Sequence, residues 1–168
     1  MGFSFFMKKY TPLILALIII WVSTAILCHL FHYPIFSMMG MNMLMGSWFM
    51  VFGLTKLINV SGFVASFRQY DLITQNFPIY WYVYPLIEFS LWAAYVADVR
   101  MLYWLPINLV TLLISSITTL WILRSFSHPT KLHCACLGAH TELTLWWVTL
   151  VECGSMIIMA LAMITLMI

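Results

Sequence analysis

Thr11-Pro-Leu-Ile-Leu-Ala-Leu-Ile-Ile-Ile-Trp-Val-Ser-Thr-Ala-Ile-Leu-Cys-His-Leu-Phe31 contains no Lys, Arg, Asp or Glu. Roughly 20 apolar residues cross the hydrocarbon core of a bilayer at ~1.5 Å per helical residue, so this stretch reads as a membrane span. Four more apolar segments follow at approximately 39–58, 79–98, 104–123 and 145–167. Hydrophobic residues make up 64% of the 168 and charged residues only 7%. A soluble domain is about a quarter charged, so this chain cannot solvate a globular surface. In lipid every backbone polar group must be satisfied internally, which leaves helices as the spanning elements. The expected fold is therefore all-α, a multi-pass transmembrane helical bundle. No internal repeat, low-complexity linker or soluble second domain interrupts it.

The cations orient the bundle. With the N-terminus in the cytoplasm, Lys8, Lys9, Lys56, Arg68, Arg124 and Lys131 share the cytoplasmic side and Arg100 alone lies outside. That bias follows the positive-inside rule and predicts a multi-pass membrane protein with a cytoplasmic N-terminus. Tyr80, Trp81, Tyr82, Trp146 and Trp147 then mark inner helix ends, and Tyr103-Trp104 an outer one. Lys8-Lys9 followed by an apolar run resembles a signal peptide, but no small-x-small cleavage site closes it, so it reads as an uncleaved signal anchor. A net charge of +2 gives no reason to expect nucleic acid as a partner.

Between the second and third spans, Phe63, Val64, Phe67 and Tyr70 fall near helical spacing beside Arg68, Gln69 and Asp71. This pattern predicts a short helix in the headgroup region with Ser61 as its N-cap, ended by Pro78. Gly46 and Gly53, a heptad apart, and the pair Ala93 and Ala97 are expected where helices approach closely.

Cys134-Ala-Cys136-Leu-Gly138 lies in the polar connection before the last span, with Lys131, His133, His140 and Glu142 around it. Two thiols one residue apart can close on a soft metal ion or cycle between dithiol and disulfide. Neighbouring cations favour the thiolate that either chemistry needs. A disulfide across one residue requires a turn, because extended i and i+2 positions reach the ~6.8 Å limit between Cα atoms. Gly138 helps the chain make that turn. The bland alternative is two small buried hydrophobes.

Acidic residues inside the spans are the second feature. Glu88 and Glu152 are expected ~10–14 Å deep from the same membrane face, where a charge must be neutral, paired or wetted. Lys56 is the cation placed to pair with one of them. The bland reading is an ion pair that sets helix register; the functional one is a proton- or cation-linked site. Cys153 reads as packing, and Asn108 with Thr111 as interhelical hydrogen-bonding groups. On the outer side Cys28, His29 and His32 precede Met38, Met39, Met41, Met43 and Met45. Thiol, imidazole and thioether suit copper(I), although the spacing matches no defined motif. No phosphate-binding loop, zincin motif or nucleophile elbow is present, so nothing marks the chain as an enzyme.

Phe52-Gly-Leu-Thr-Lys56-Leu57, Tyr70-Asp71, Tyr84-Pro85-x-x-Glu88, Asn108-x-x-Thr111, Cys134-x-Cys136-x-Gly138 and Leu145-x-x-Val148-Thr149-x-x-Glu152 occur in that order. Over residues 39–168 this resembles the MauE branch of the DoxX-like redox-associated membrane proteins. The resemblance implies a four-helix domain at 39–168, preceded by an additional anchor helix and outer loop at 1–38. It also implies an accessory role in methylamine utilisation, supporting maturation of a disulfide-rich periplasmic subunit alongside a thioredoxin-like partner. Three functions stay open: redox accessory protein acting through Cys134 and Cys136, soft-metal (copper or mercury) handler, and membrane scaffold.

Overall fold

The computed structural model of the chain describes residues 2–58, 60–67, 79–98, 100, 102–125 and 145–167. Among them lie five long helices and one short one: α1 Gly2–Leu30, α2 Met38–Ile58, α3 Val60–Phe67, α4 Ile79–Ala97, α5 Trp104–Ser125 and α6 Leu145–Met167. The expected all-helical membrane bundle is what forms. Tyr10–Leu30, Met38–Ile58 and Val148–Leu166 are long and apolar enough to cross a membrane. Trp104–Leu120 is a shorter apolar stretch. Hydroxyls at Thr111, Ser115, Ser116, Thr118 and Thr119 dilute α5, and tyrosines with Glu88 dilute α4.

α2 is the hub. It packs most extensively on α4, next on α1, and also touches α6, while α5 and α6 form the other large helix pair. Contacts from α4 to α5 close a four-helix ring of α2, α4, α5 and α6, with α1 attached through α2. The bundle is apolar outside and polar within. Leu15, Ile19, Val22 and Ile26 of α1 and Leu109, Leu113, Ile117 and Leu120 of α5 are exposed. Asn42, Ser47, Lys56, Glu88, Asn108, Thr111, Thr118 and Glu152 are buried. That inversion suits a surface facing hydrocarbon, where polar side chains are stable only against each other.

Glycines let α2 and α4 meet. A Cβ on Gly46 would stand 3.2 Å from Tyr95 Cβ, and one on Gly53 would stand 3.5 Å from Glu88 Cβ, so both expected glycines sit at this crossing. Ala93 and Ala97 do not: both are exposed, on the face of α4 turned away from the ring.

The short helix departs from expectation in two ways. Ser61 lies inside α3, which begins at Val60, so it is not the N-cap. Phe63 and Val64 are buried rather than facing headgroups, with the Phe63 ring stacked on Tyr84 at 6.2 Å between centroids. The apolar face of α3 is used by the protein. Pro78, Tyr70 and their neighbours lie outside the described residues.

The end of α1 places His32 in a left-handed turn. Tyr33 N donates to Cys28 O and His32 N to His29 O, with His32 at a φ of 59°. These are the two hydrogen bonds of a Schellman cap, which needs a left-handed residue at the position His32 occupies. Glycine normally fills that position because a Cβ there costs about 1–2 kcal/mol. His32→Gly is therefore expected to raise the unfolding stability by about 0.5–1 kcal/mol, read from the thermal midpoint in detergent micelles. An unchanged or lower midpoint would mean that the imidazole contributes something the cap does not explain.

Candidate functional site

Helical spacing brings the site together. Phe52 and Lys56, four residues apart, share one face of α2, and Tyr84 and Glu88 share one face of α4. On α6, Thr149 and Glu152 are three apart and both buried. Where these faces meet, the Lys56 ammonium donates to both Glu88 Oε1 and Glu152 Oε1. Lys56 had been expected to serve one acid; it serves two, joining three helices at one point. Side chains of the three are 3%, 1% and 6% exposed, so the cluster is sealed from bulk solvent.

Aromatic faces complete the setting. Lys56 Nζ lies 6.0 Å from the Phe52 ring centroid, 5.9 Å from Phe63 and 5.2 Å from Tyr84. Desolvated cation–π contacts of this kind add to the two carboxylates in holding the ammonium. The charges do not balance: two carboxylates and one ammonium leave one negative charge when all are ionised. Glu88 Oε2 and Glu152 Oε2 are buried without a hydrogen-bond partner. Among the described residues no second cation meets these acids, and an uncompensated charge at such a depth costs several kcal/mol.

A second polar group lies towards the other end of the ring. Tyr95 Oη donates to Asn108 Oδ1 at 3.2 Å and lies 2.9 Å from Thr111 Oγ1. Asn42 Nδ2 donates to Tyr95 O at 2.7 Å, tying α2 to α4. Asp98 caps the turn into α5, accepting from Leu102 N at 2.8 Å and Tyr103 N at 3.0 Å. Asn108 and Thr111 are thus interhelical partners, as their residue types suggest.

Cys134 and Cys136, with His133, Gly138 and His140, lie outside the described residues. The described chain resumes at Leu145, and Glu152 follows two turns into α6. Cys153 is free and buried; its thiol is within hydrogen-bonding reach of Thr119 on α5 and lies close enough to Glu152, Lys56 and Glu88 to feel their charges. The outer Cys, His and Met residues differ in burial. Cys28 is buried, His29 and His32 are exposed, and Met38, Met39 and Met41 are half-buried along the start of α2. Among the described residues, no three His, Cys, Asp or Glu side chains converge as a metal ion would require.

Sequence reasoning passed over Tyr95, Ser115 and Thr118 and met Tyr84 only within the Tyr84-Pro85-x-x-Glu88 element; all four are buried at the centre of the ring. A signal for them exists: Asn108, Thr111, Ser115 and Thr118 step by three, four and three, which is one face of a helix.

The family model for methylamine utilisation protein MauE matches residues 14–166, taking in α1 as well as the four helices of the ring. No curated protein and no solved structure matches the chain.

Proposed function

The chain belongs to the MauE family of membrane proteins, and from that premise we propose a redox accessory role in a bacterial inner membrane. Cys134 and Cys136 exchange disulfides with a partner protein, with the N-terminus and the thiol loop on the cytoplasmic side. The observation that carries this reading is the Cys-x-Cys element directly ahead of α6 in a chain of that family. Lys56 supports it mechanically. By gripping Glu152 and Glu88 together it holds the start of α6 against α2 and α4, giving the loop a fixed base.

The exchange proceeds in two displacements. The Cys134 thiolate attacks a partner disulfide, forming a mixed disulfide and releasing one partner thiolate. The Cys136 thiolate then attacks the Cys134 sulfur, releasing the second partner thiolate and closing Cys134–Cys136. Two electrons pass to the partner, and the two protons lost by the cysteines end on its thiols. Methylamine utilisation supplies the expected setting, with a thioredoxin-like or other thiol protein as partner.

Cys136→Ser removes the resolving thiol and is expected to accumulate a mixed disulfide, visible as a reductant-sensitive shift on non-reducing gels of whole membranes. Cys134→Ser is expected to give none. Absence of any adduct in both variants, with free-thiol titres indifferent to oxidant, would end the proposal. Labelling Cys134 in intact cells with a membrane-impermeant maleimide is expected to fail until the membrane is opened; ready labelling would reverse the orientation.

A further inference from the structure

Thiol exchange leaves the buried hydroxyls of α5 unexplained. Asn108, Thr111, Ser115 and Thr118 are 0%, 0%, 4% and 5% exposed. Their spacing places them in one row about 5–6 Å apart. Two tyrosines of α4 stand against that row: Tyr95 meets Asn108 and Thr111, and Tyr84 Oη lies 3.4 Å from Thr118 Oγ1. The face of the Tyr84 ring turns to the Lys56 ammonium, 5.2 Å away. One polar seam therefore joins the Lys56–Glu88–Glu152 triad to the turn at Asp98–Tyr103, running about 15 Å along α5 at ~1.5 Å per residue.

Local bonding explains how these residues are tolerated. Thr118 Oγ1 donates to Ile114 O at 2.9 Å and Asn108 Nδ2 to Trp104 O at 2.7 Å, so neither leaves its helix unsatisfied. It does not explain their alignment. Ser116 and Thr119 are half-buried beside this row, while Leu105, Leu109, Val110, Leu113, Ile117 and Leu120 fill the exposed faces. At the far end of the seam, two carboxylates meet one ammonium among the described residues, and a second oxygen of each acid is buried with no hydrogen-bond partner there.

We propose that the triad binds one proton, held between the Glu88 and Glu152 carboxyl groups, and that this proton enters and leaves along the α4–α5 seam. Uptake transfers a proton from hydronium to a carboxylate, leaving water, and moves no electrons. The described residues around the acids fit a single-proton site. α2 contributes the cation Lys56, α3 the neutral ring of Phe63, and α4 the Tyr84 ring. α5 contributes Thr118, and α6 contributes Cys153, whose thiol turns towards Thr119. Tyr95 lines the route and Asp98 stands at its mouth, its carboxylate committed to the backbone of Leu102 and Tyr103. A water in each gap bridges hydroxyls at this spacing. Protonation makes the triad neutral, which removes the cost of an anion within the membrane.

Infrared difference spectroscopy on the full chain in lipid nanodiscs tests this with Cys134 and Cys136 in place and unread. At neutral pH the wild-type protein is expected to show the carbonyl stretch of a protonated carboxyl group, shifting on transfer to deuterium oxide. Glu88→Gln and Glu152→Gln are each expected to abolish it, because either leaves a neutral pair with Lys56. Thr111→Val/Ser115→Ala/Thr118→Val is expected to keep the band and slow its deuterium exchange about tenfold, the effect of losing a hydrogen bond on the path. Should the triple variant fail to fold, Thr118→Val alone gives the same reading at the step nearest the triad. A wild-type spectrum without the band overturns the proton site, and a band whose exchange ignores the seam substitutions overturns the route. Failure of either leaves the thiol-trapping result untouched.

Discussion

Replacing Lys56 with methionine is expected to lower the unfolding stability of the bundle by about 3–5 kcal/mol, the cost of stranding a buried partner. Methionine keeps the length of the side chain, so packing against Phe52, Phe63 and Tyr84 is largely retained and the loss is electrostatic. Two carboxylates from different helices would be left facing each other among aromatic rings with no cation between them. α2, α4 and α6 then lose a point at which all three are joined. Removing the acids at the same time relieves most of this. Lys56→Met/Glu88→Gln/Glu152→Gln is expected to regain the larger part of the lost stability, since replacing a whole buried ion cluster by neutral groups is often nearly free. Glu88→Gln alone is expected to cost less than Lys56→Met, because it leaves a balanced Lys56–Glu152 pair. Thermal unfolding in micelles, followed by circular dichroism, ranks the three variants. Equal stability of Lys56→Met and the wild-type protein would show that the ammonium does not hold the helices together.

The triad was partly legible in advance, and the reason is physical. A charged residue inside an apolar run is costly enough to stand out, so Lys56, Glu88 and Glu152 announce themselves. The helices were legible for the same reason: lipid demands long apolar runs, and α2, α4, α5 and α6 begin within a residue of where those runs begin. What the residues could not disclose was geometry that depends on a partner. One ammonium meeting two acids needs α6 to pass beside α2, a matter of ring closure rather than periodicity. Ser61 resembles an N-cap by type, but the helix starts one residue earlier. Cys28, His29 and His32 resemble a ligand set by type, and their backbone forms a Schellman cap that residue types alone do not announce. Small residues divide in the same way: Gly46 and Gly53 face α4, whereas Ala93 and Ala97 face outward, and only the packing distinguishes them.

Three glycines on α2 are expected to respond to alanine with three different signs, and Gly40→Ala to be the most damaging, at about 2–3 kcal/mol. In a helix interior, alanine is favoured over glycine by about 0.5–1 kcal/mol, so each substitution starts from that gain. At Gly53 the new methyl would meet Glu88 Cβ at 3.5 Å and Pro85 O at 3.7 Å, ordinary contacts that leave the gain intact. At Gly46 it would press on Tyr95 Cβ at 3.2 Å and Val96 Cγ2 at 3.3 Å, so relaxation of α4 by a few tenths of an ångström cancels the gain. At Gly40 it would sit 2.0 Å from Ile35 O and 2.6 Å from Ile35 C, both backbone atoms with no rotamer to escape into. The turn before α2 would have to move, and that turn is tied down. Ser37 donates from N and Oγ to Pro34 O, while Ser37 Oγ accepts from Gly40 N at 3.1 Å as the N-cap of α2. Loss of an N-cap alone costs about 1 kcal/mol, so strain and lost capping together exceed the propensity gain. Unfolding midpoints measured side by side are expected to fall for Gly40→Ala, hold for Gly46→Ala and rise for Gly53→Ala. If Gly40→Ala proves no worse than Gly46→Ala, the 34–35 backbone does not lie against α2, and the start of that helix is placed differently from the account given above.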